Sequence, residues 1–158
     1  DKGEGLYRRS LYTYWKRTGP APVMMTLDAS KRDVCRVRRE RTSTPLETFV
    51  LMNGPQFVEA ARVLSEAVLK QHADDERASV SELFRTLTGR LPTEDELKIL
   101  AELYAQQLEY FTSHTGKAAE YLKTGQRASD ASLDANRLAA LATVANAVFS
   151  FDEVVNRR

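Results

Sequence analysis

Helix-start signals constrain this chain more than any other feature of its sequence. Three segments place a hydroxyl residue three positions before a glutamate, the pattern in which each side chain caps a backbone amide beside the other. They are Thr44-Pro45-Leu46-Glu47, Ser79 with Glu82, and Thr93 with Glu96. In the first segment a proline also occupies the first helical position, where its fixed φ suits a helix and no hydrogen bond is lost. Each capping box contributes about 1 kcal/mol, so the three pairs predict three helix starts.

Apolar residues recur at helical spacing nearly everywhere from residue 42 onward. The spacing predicts helices from about Pro45 to Met52, Pro55 to Leu69, Val80 to Thr88, Glu94 to Phe111 and Lys117 to Leu122, and a last helix capped by Asp134. The last helix carries the widest apolar stripe, which predicts burial on two sides. No segment alternates apolar and polar residues at the period of a strand. The predicted fold is therefore all-α, an irregular orthogonal bundle of five to seven helices with a basic, partly extended N-terminal arm.

The first 41 residues are harder to assign. Leu6 to Trp15 fits a helical face better than a strand, Val23 to Leu27 is expected to be extended, and Ser30 to Cys35 to form a short helical turn. The length of 158 residues suits one domain, residues 1–158. Within it we distinguish the basic arm (residues 1–41), a helical core (42–125), a polar linker (126–132) and a C-terminal core helix (133–158).

Charge is divided unevenly along the chain, although the formal net charge is only +1. The basic arm holds 11 Lys and Arg against 5 Asp and Glu, a net of +6. The remaining residues, 42–158, hold 12 against 17, a net of −5, and are called the acidic body. Opposite charges favour docking of the arm on the body, or on the body of a neighbouring molecule, through an attraction that salt weakens. A homodimer formed through the arm is therefore one expected partner arrangement.

Several classes of site are excluded or disfavoured by what the sequence lacks. Cys35 is the one cysteine, so no disulfide, no cysteine-rich zinc site and no CxxCH attachment of haem c can form within the chain. Cys35 itself is expected to be a small buried filler. His72 and His114 are 42 positions apart without a second ligand nearby, and no metal site is predicted. No stretch approaches the ~18 consecutive apolar residues of a membrane span, and the sequence does not indicate a compartment.

An arginine cluster is the most conspicuous polar feature. Its members are Lys31, Arg32, Arg36, Arg38, Arg39 and Arg41, which surround Asp33 and Glu40. Guanidinium groups bind phosphate, sulfate and carboxylate through paired hydrogen bonds, so the cluster suits an anionic ligand. Pairing with the acidic body explains it more simply. The acidic body disfavours a nucleic-acid partner, because a dedicated binder is basic over a whole face.

Two further groups are weighed as binding candidates. Asp28 and Asp33 are considered as a carboxylate pair for acid–base work, but the sequence does not show that they converge, and capping of the segment from Ala29 to Cys35 is favoured. The aromatic residues Tyr7, Tyr12, Tyr14 and Trp15 lie beside cations, which are Arg8, Arg9, Lys16 and Arg17. Such a mixture stacks sugars or bases, but packing of the rings in a core is the favoured interpretation. The binding candidates are Arg32, Arg36, Arg38, Arg39, Arg41, Asp28, Asp33, Glu40 and Trp15, and no catalytic residue is assigned.

The ordered motifs resemble a known family. The segments are LYRRSLYTYWKR (6–17), MMTLD (24–28), RDVCRVRRERTSTPL (32–46), NGPQFVEAAR (53–62) and TVANAVFSFDE (143–153). Together they resemble the planctomycete-specific domain of unknown function 1553 over essentially the whole chain. Glu47 stands where that family typically has glutamine, which keeps the capping role, and Gly54 stands where it typically has aspartate, which removes a possible helix cap.

The resemblance implies a setting but no chemistry. In that family the domain usually ends a long exported protein that often carries a cytochrome-c-like module, so this chain looks like a C-terminal part or a shortened relative. Haem c is expected only on such an upstream module, and the expected location is periplasmic or extracellular. The function predicted from the sequence is a non-catalytic interaction module that docks on upstream domains or another exported protein. The alternatives are part of a hydrolase or redox enzyme that acts on extracellular polymers, with a site shared with upstream domains, and an anion or sulfated-glycan binder that uses the arginine cluster.

Overall fold

The structure is a computed structural model that describes residues 3–16, 18–30, 35, 37, 42, 44–72 and 75–155. The chain divides into two compact units, the N-terminal unit Asp1–Val50 and the C-terminal unit Leu51–Arg158. The described residues form helices and turns and no strand, which confirms the all-α fold class. No described helix has the length and the unbroken apolar character that a membrane crossing requires.

Eight α-helices and two 3₁₀ turns make up the described part of the chain. The 3₁₀ turns are Gly3–Tyr7 and Ser10–Tyr12, and the helices are α1 Pro22–Thr26, α2 Pro45–Asn53, α3 Pro55–Gln71, α4 Glu76–Thr88, α5 Glu94–Ser113, α6 Lys117–Leu122, α7 Ala135–Phe149 and α8 Asp152–Val155. Five of the eight helices have seven or more residues. The five helices predicted from Pro45 to Leu122 are all present, and α8 is an addition that follows the predicted last helix.

Helix α7 is the centre of the C-terminal unit. It packs mainly against α3 and α5, and its side chains from Leu138 to Ala142 are fully or almost fully buried. Three alanines in that run, residues 139, 140 and 142, have no exposed surface. Small side chains let neighbouring helices approach closely, so α7 is covered on two sides, as the width of its apolar stripe predicts.

Two of the three predicted capping boxes are confirmed and one is wrong. The Thr93 hydroxyl accepts from the Glu96 amide while the Glu96 carboxylate accepts from the Thr93 amide, and Thr44 and Glu47 make the same pair of bonds. Ser79, in contrast, lies inside α4, which begins at Glu76 because Asp75 accepts from the Ala78 amide. An aspartate four positions upstream is an equally good cap, and starting there adds a turn of helix.

The N-terminal unit differs from expectation in three places. Two 3₁₀ turns replace the single helix predicted from Leu6 to Trp15. Helix α1 occupies the segment expected to be extended, because Pro22 at its first position suits a helix start. Cys35 is exposed and is therefore not a buried filler. Most of the turn predicted from Ser30 to Cys35 and most of the crossing from residue 36 to 41 lie outside the described residues.

Candidate functional site

A cavity of about 300 Å³ in the N-terminal unit is the candidate site, and we call it the N-terminal cavity. Arg9, Ser10 and Ser30 contribute its polar wall. Its apolar wall consists of Leu11, Trp15, Met24 and Ala29. Residues from two separate stretches, 9–15 and 24–30, therefore combine to form its wall.

Local hydrogen bonds hold both stretches in shape. The amide of Tyr12 donates to the Arg9 carbonyl at 2.9 Å, which places Arg9 at the start of the second 3₁₀ turn. The amide of Ala29 donates to the Met24 carbonyl at 2.8 Å, which folds the segment after α1 back against that helix. Asp28 makes this reversal with φ of +53°, a left-handed conformation that aspartate tolerates better than most residues.

Asp28, which directly precedes the lining residue Ala29, links two segments of the N-terminal unit. Its carboxylate accepts from the Thr42 amide at 2.5 Å and from the Thr42 hydroxyl at 2.8 Å. The same hydroxyl lies 2.9 Å from Oε1 of Glu47, a buried carboxylate that also accepts from the amide and hydroxyl of Thr44. Asp28 thus ties the segment after α1 to the start of α2.

The structure describes two of the nine binding candidates that were selected from the sequence. Trp15 lines the N-terminal cavity and Asp28 precedes two of its lining residues. The other candidates, Arg32, Asp33, Arg36, Arg38, Arg39, Glu40 and Arg41, lie outside the described residues, so their roles stay predictions. Sequence reasoning did not select Arg9, although its place among aromatic and basic residues was the available signal.

The aromatic residues of the basic arm do not pack in a core. Tyr7, Tyr12 and Tyr14 are 60%, 69% and 84% exposed, so the favoured core-packing interpretation was wrong for them. No described residue from 3 to 46 is buried, whereas the C-terminal unit has a contiguous core. The N-terminal unit therefore presents large apolar side chains to its surroundings.

A second polar constellation, on α3 in the C-terminal unit, was missed by sequence reasoning. Glu59, Arg62 and Glu66 occupy one helix face and are all buried, and we call them the α3 polar cluster. Glu59 accepts from the amides of Gln126 and Arg127 at 3.0 and 2.9 Å. The segment predicted to be a polar linker is thus held to α3 through its backbone amides. The sequence signal for this cluster was the helical spacing of Glu59, Arg62 and Glu66.

Arg62 is the centre of that cluster. It donates to Oε1 of Glu66 at 2.7 Å and to the carbonyl of Arg127 at 2.5 Å, and it is 1% exposed. Its Nε has no partner among the described residues. At the edge of the cluster, the hydrogen bond from Lys70 lowers the pKa of Asp130, with further lowering from Ser132. The arrangement fixes a loop and brings no reactive group to the surface.

Comparison with known proteins gives one family. The sequence model of a family described as PSD1, Protein of unknown function (DUF1553), matches residues 1–104. The match covers the N-terminal unit and the helices through most of α5, and does not extend to the resemblance noted at residues 143–153. No curated protein and no solved structure matches the chain. Among the described residues, no group of three or more His, Cys, Asp or Glu side chains is arranged to hold a metal ion.

Proposed function

The chain belongs to the DUF1553 family, and from this premise we propose that it is a non-catalytic interaction module whose N-terminal unit docks onto an acidic protein surface. In the isolated chain, that surface is the acidic body of a second copy. In the parent protein, it belongs to upstream domains or to another exported protein.

The exposure of the N-terminal unit is the observation that carries this proposal. Leu11, Tyr12 and Tyr14 are each at least 67% exposed and lie within four residues of one another. Contiguous exposed apolar side chains are unusual on a surface that meets only water, and they are typical of protein interaction sites. Tyrosine in particular suits interfaces because it buries a large ring and keeps a polar hydroxyl.

The positive charge of the basic arm determines which kind of surface it binds. The basic arm carries a net charge of +6, so a surface with net negative charge attracts it over a distance of about a Debye length. The acidic body, with a net charge of −5, has the required sign. Electrostatic attraction of this kind speeds association and sets the orientation, while the aromatic residues supply most of the affinity.

The setting in a longer protein is proposed on the family resemblance alone. Under this proposal the parent is an exported, cytochrome-c-associated protein of planctomycete type that works in the periplasm or outside the cell. Haem c is held by a module outside this chain. The alternative of a hydrolase or redox site shared with upstream domains stays a prediction, because no described residue gives it specific support.

Site-specific photo-crosslinking of the full chain tests the docking proposal. A benzophenone side chain at position 12 is compared with one at position 99, where Ile99 on α5 has a similar exposure of 65%. We expect position 12 to form crosslinked dimers whose second peptide lies in residues 42–158. Position 99 lies on the acidic body, so any crosslinked dimers that it forms should contain a second peptide from residues 1–41. Sedimentation velocity should show the dimer of the unmodified chain weakening as NaCl rises from about 0.05 to 0.5 M.

A pair of matched leucines provides the second arm of the experiment. Leu11 and Leu91 are both 67% exposed, but Leu11 belongs to the exposed apolar group of the N-terminal unit, whereas Leu91 is a neutral residue of the acidic body, which is proposed to contribute through its charge. Leu11→Ser should weaken the dimer and Leu91→Ser should not. A chain that sediments as a monomer at every concentration, or whose crosslinks from position 12 do not reach residues 42–158, would overturn the proposal.

A further inference from the structure

We propose that the N-terminal cavity binds a single sugar ring that carries a carboxylate or sulfate group. The site is built from Arg9, Ser10, Trp15 and Ser30, none of which is a member of the arginine cluster. This inference does not depend on the docking proposal.

The division of the wall into two kinds of surface indicates a sugar. One face of a sugar ring presents C–H groups, which pack flat against an indole such as that of Trp15. Its hydroxyl groups both donate and accept hydrogen bonds, as the hydroxyls of Ser10 and Ser30 do. A purely apolar ligand would leave these two hydroxyls without partners, and a simple inorganic anion would leave the apolar wall unused.

Arg9 indicates that the sugar is anionic. Among the described residues, no carboxylate lines the cavity and the Arg9 side chain has no ion-pair partner. Its guanidinium group can therefore form paired hydrogen bonds with an incoming carboxylate or sulfate. The net charge of the surrounding basic arm favours an anion as well.

The size of the cavity limits the ligand. Small-molecule sites range from about 300 to 1,000 Å³, so a cavity of about 300 Å³ is at the lower end. One ring fits such a volume. A longer anionic glycan would place one unit in the cavity and extend the rest outside it.

The chain contains one tryptophan, so intrinsic fluorescence reports directly on the site. Glucuronate and glucose 6-sulfate are titrated into the full chain, with glucose and inorganic sulfate as the neutral and ion-only controls. We expect saturable changes with both anionic sugars and binding about tenfold weaker for glucose and for sulfate, the size expected when a charged hydrogen-bond pair or the ring contact is missing. Isothermal titration calorimetry repeats each titration, so a ligand that binds without altering the emission is still detected.

Arg8 supplies the matched control, since it is exposed beside Arg9 but does not line the cavity. Arg9→Gln should reduce the affinity for both anionic sugars to that for glucose, and Arg8→Gln should leave it nearly unchanged. Equal binding of glucose and glucuronate would overturn the anionic assignment, and sulfate binding as tight as glucose 6-sulfate would overturn the sugar assignment. Equal effects of the two arginine variants, or no binding of any probe by either method, would overturn the site itself.

Discussion

Arg62 illustrates at the scale of one residue how a buried charge can be both costly and necessary. Its guanidinium group is buried on folding, and its hydrogen bonds to Glu66 and to the Arg127 carbonyl offset the loss of hydration. Removing either charge leaves the other buried without its partner. The buried ion pair therefore fixes the geometry of the 125–130 segment more than it adds to net stability.

The first prediction concerns this pair. Arg62→Met should lower the free energy of unfolding by about 3 kcal/mol, because Glu66 stays buried without a counter-charge. Urea denaturation followed by far-UV circular dichroism measures the change. Arg85→Met is the control, since Arg85 pairs with Glu82 on the exposed side of α4 and its loss should have little effect. Similar losses in the two variants would contradict the assigned role of Arg62.

The second prediction concerns Gly125, which combines a left-handed backbone conformation with a close contact to the Glu59 side chain. Its φ is +100°, and a Cβ at this position would collide with the carboxylate of Glu59. Gly89 has φ of +80° with no atom near the place of a Cβ, so it shows the backbone effect alone. Gly89→Ala should cost about 1 kcal/mol, the usual penalty of a left-handed alanine, and Gly125→Ala clearly more. Thermal and urea unfolding compare the two, and equal losses would show that the Glu59 contact does not constrain the loop.

At the scale of elements, the sequence predicted the helices better than the turns and loops that connect them. Helices α2 to α7 follow from caps, stop signals and apolar spacing that act within a few residues. The start of α4 was misplaced because Asp75 and Ser79 both satisfy the local rules for a cap. The hydrogen bonds between α3 and residues 126–130 could not be predicted, because they join residues more than 60 positions apart. The turns before α1 could not be predicted either, because they depend on weak local preferences.

Arg90 joins three elements at one end of the C-terminal unit. It lies between α4 and α5, forms ion pairs with Glu96 and Glu153 at 2.6 and 2.9 Å, and stacks over the ring of Phe84. Glu96 therefore combines two roles, as a member of the α5 capping box and as a partner of Arg90. These contacts connect the short helix α8 to the α4–α5 turn.

The third prediction uses the pKa of Glu96 to test that connection. The hydrogen bond from Arg90, with help from the Thr93 amide, lowers this pKa from 4.5 to about 2. Because the folded-state pKa lies below the unfolded one, the stabilisation is complete above pH 4.5 and is lost as the pH falls towards 2. Glu96→Gln keeps the capping geometry without the charge, so its unfolding midpoint should depend less on pH in this interval.

Glu102→Gln is the matched control for the pH series. Glu102 is an exposed glutamate of α5 that forms no ion pair among the described residues. Its variant should follow the wild-type pH profile, and raising the salt concentration should shrink the difference between wild type and Glu96→Gln. A Glu96→Gln profile parallel to wild type would show that Arg90 does not hold this carboxylate in solution.

At the scale of the whole molecule, the two units differ in how much they bury. The C-terminal unit has a contiguous apolar core from α3 to α7, whereas no described residue from 3 to 46 is buried. The division of charge between the basic arm and the acidic body was visible in the sequence. The N-terminal cavity was not, because it depends on a chain reversal at Asp28 that the pattern of residues did not indicate.

The fourth prediction follows from this difference in burial. Trp15 reports on the N-terminal unit, while the far-UV signal comes mostly from the long helices of the C-terminal unit. A segment with little buried apolar surface unfolds at low denaturant, so the Trp15 fluorescence should change at a lower urea concentration than the circular dichroism. Arg62→Met should move the circular dichroism transition and leave the fluorescence transition in place. If the N-terminal unit docks on a second copy, dilution should shift the fluorescence transition to lower urea, because dissociation removes the apolar burial that this unit gains by docking. Fluorescence and circular dichroism transitions that coincide would contradict the separate stabilities of the two units. A fluorescence transition that does not shift with protein concentration would contradict the docking proposal, because docking makes the stability of the N-terminal unit depend on the concentration of the second copy.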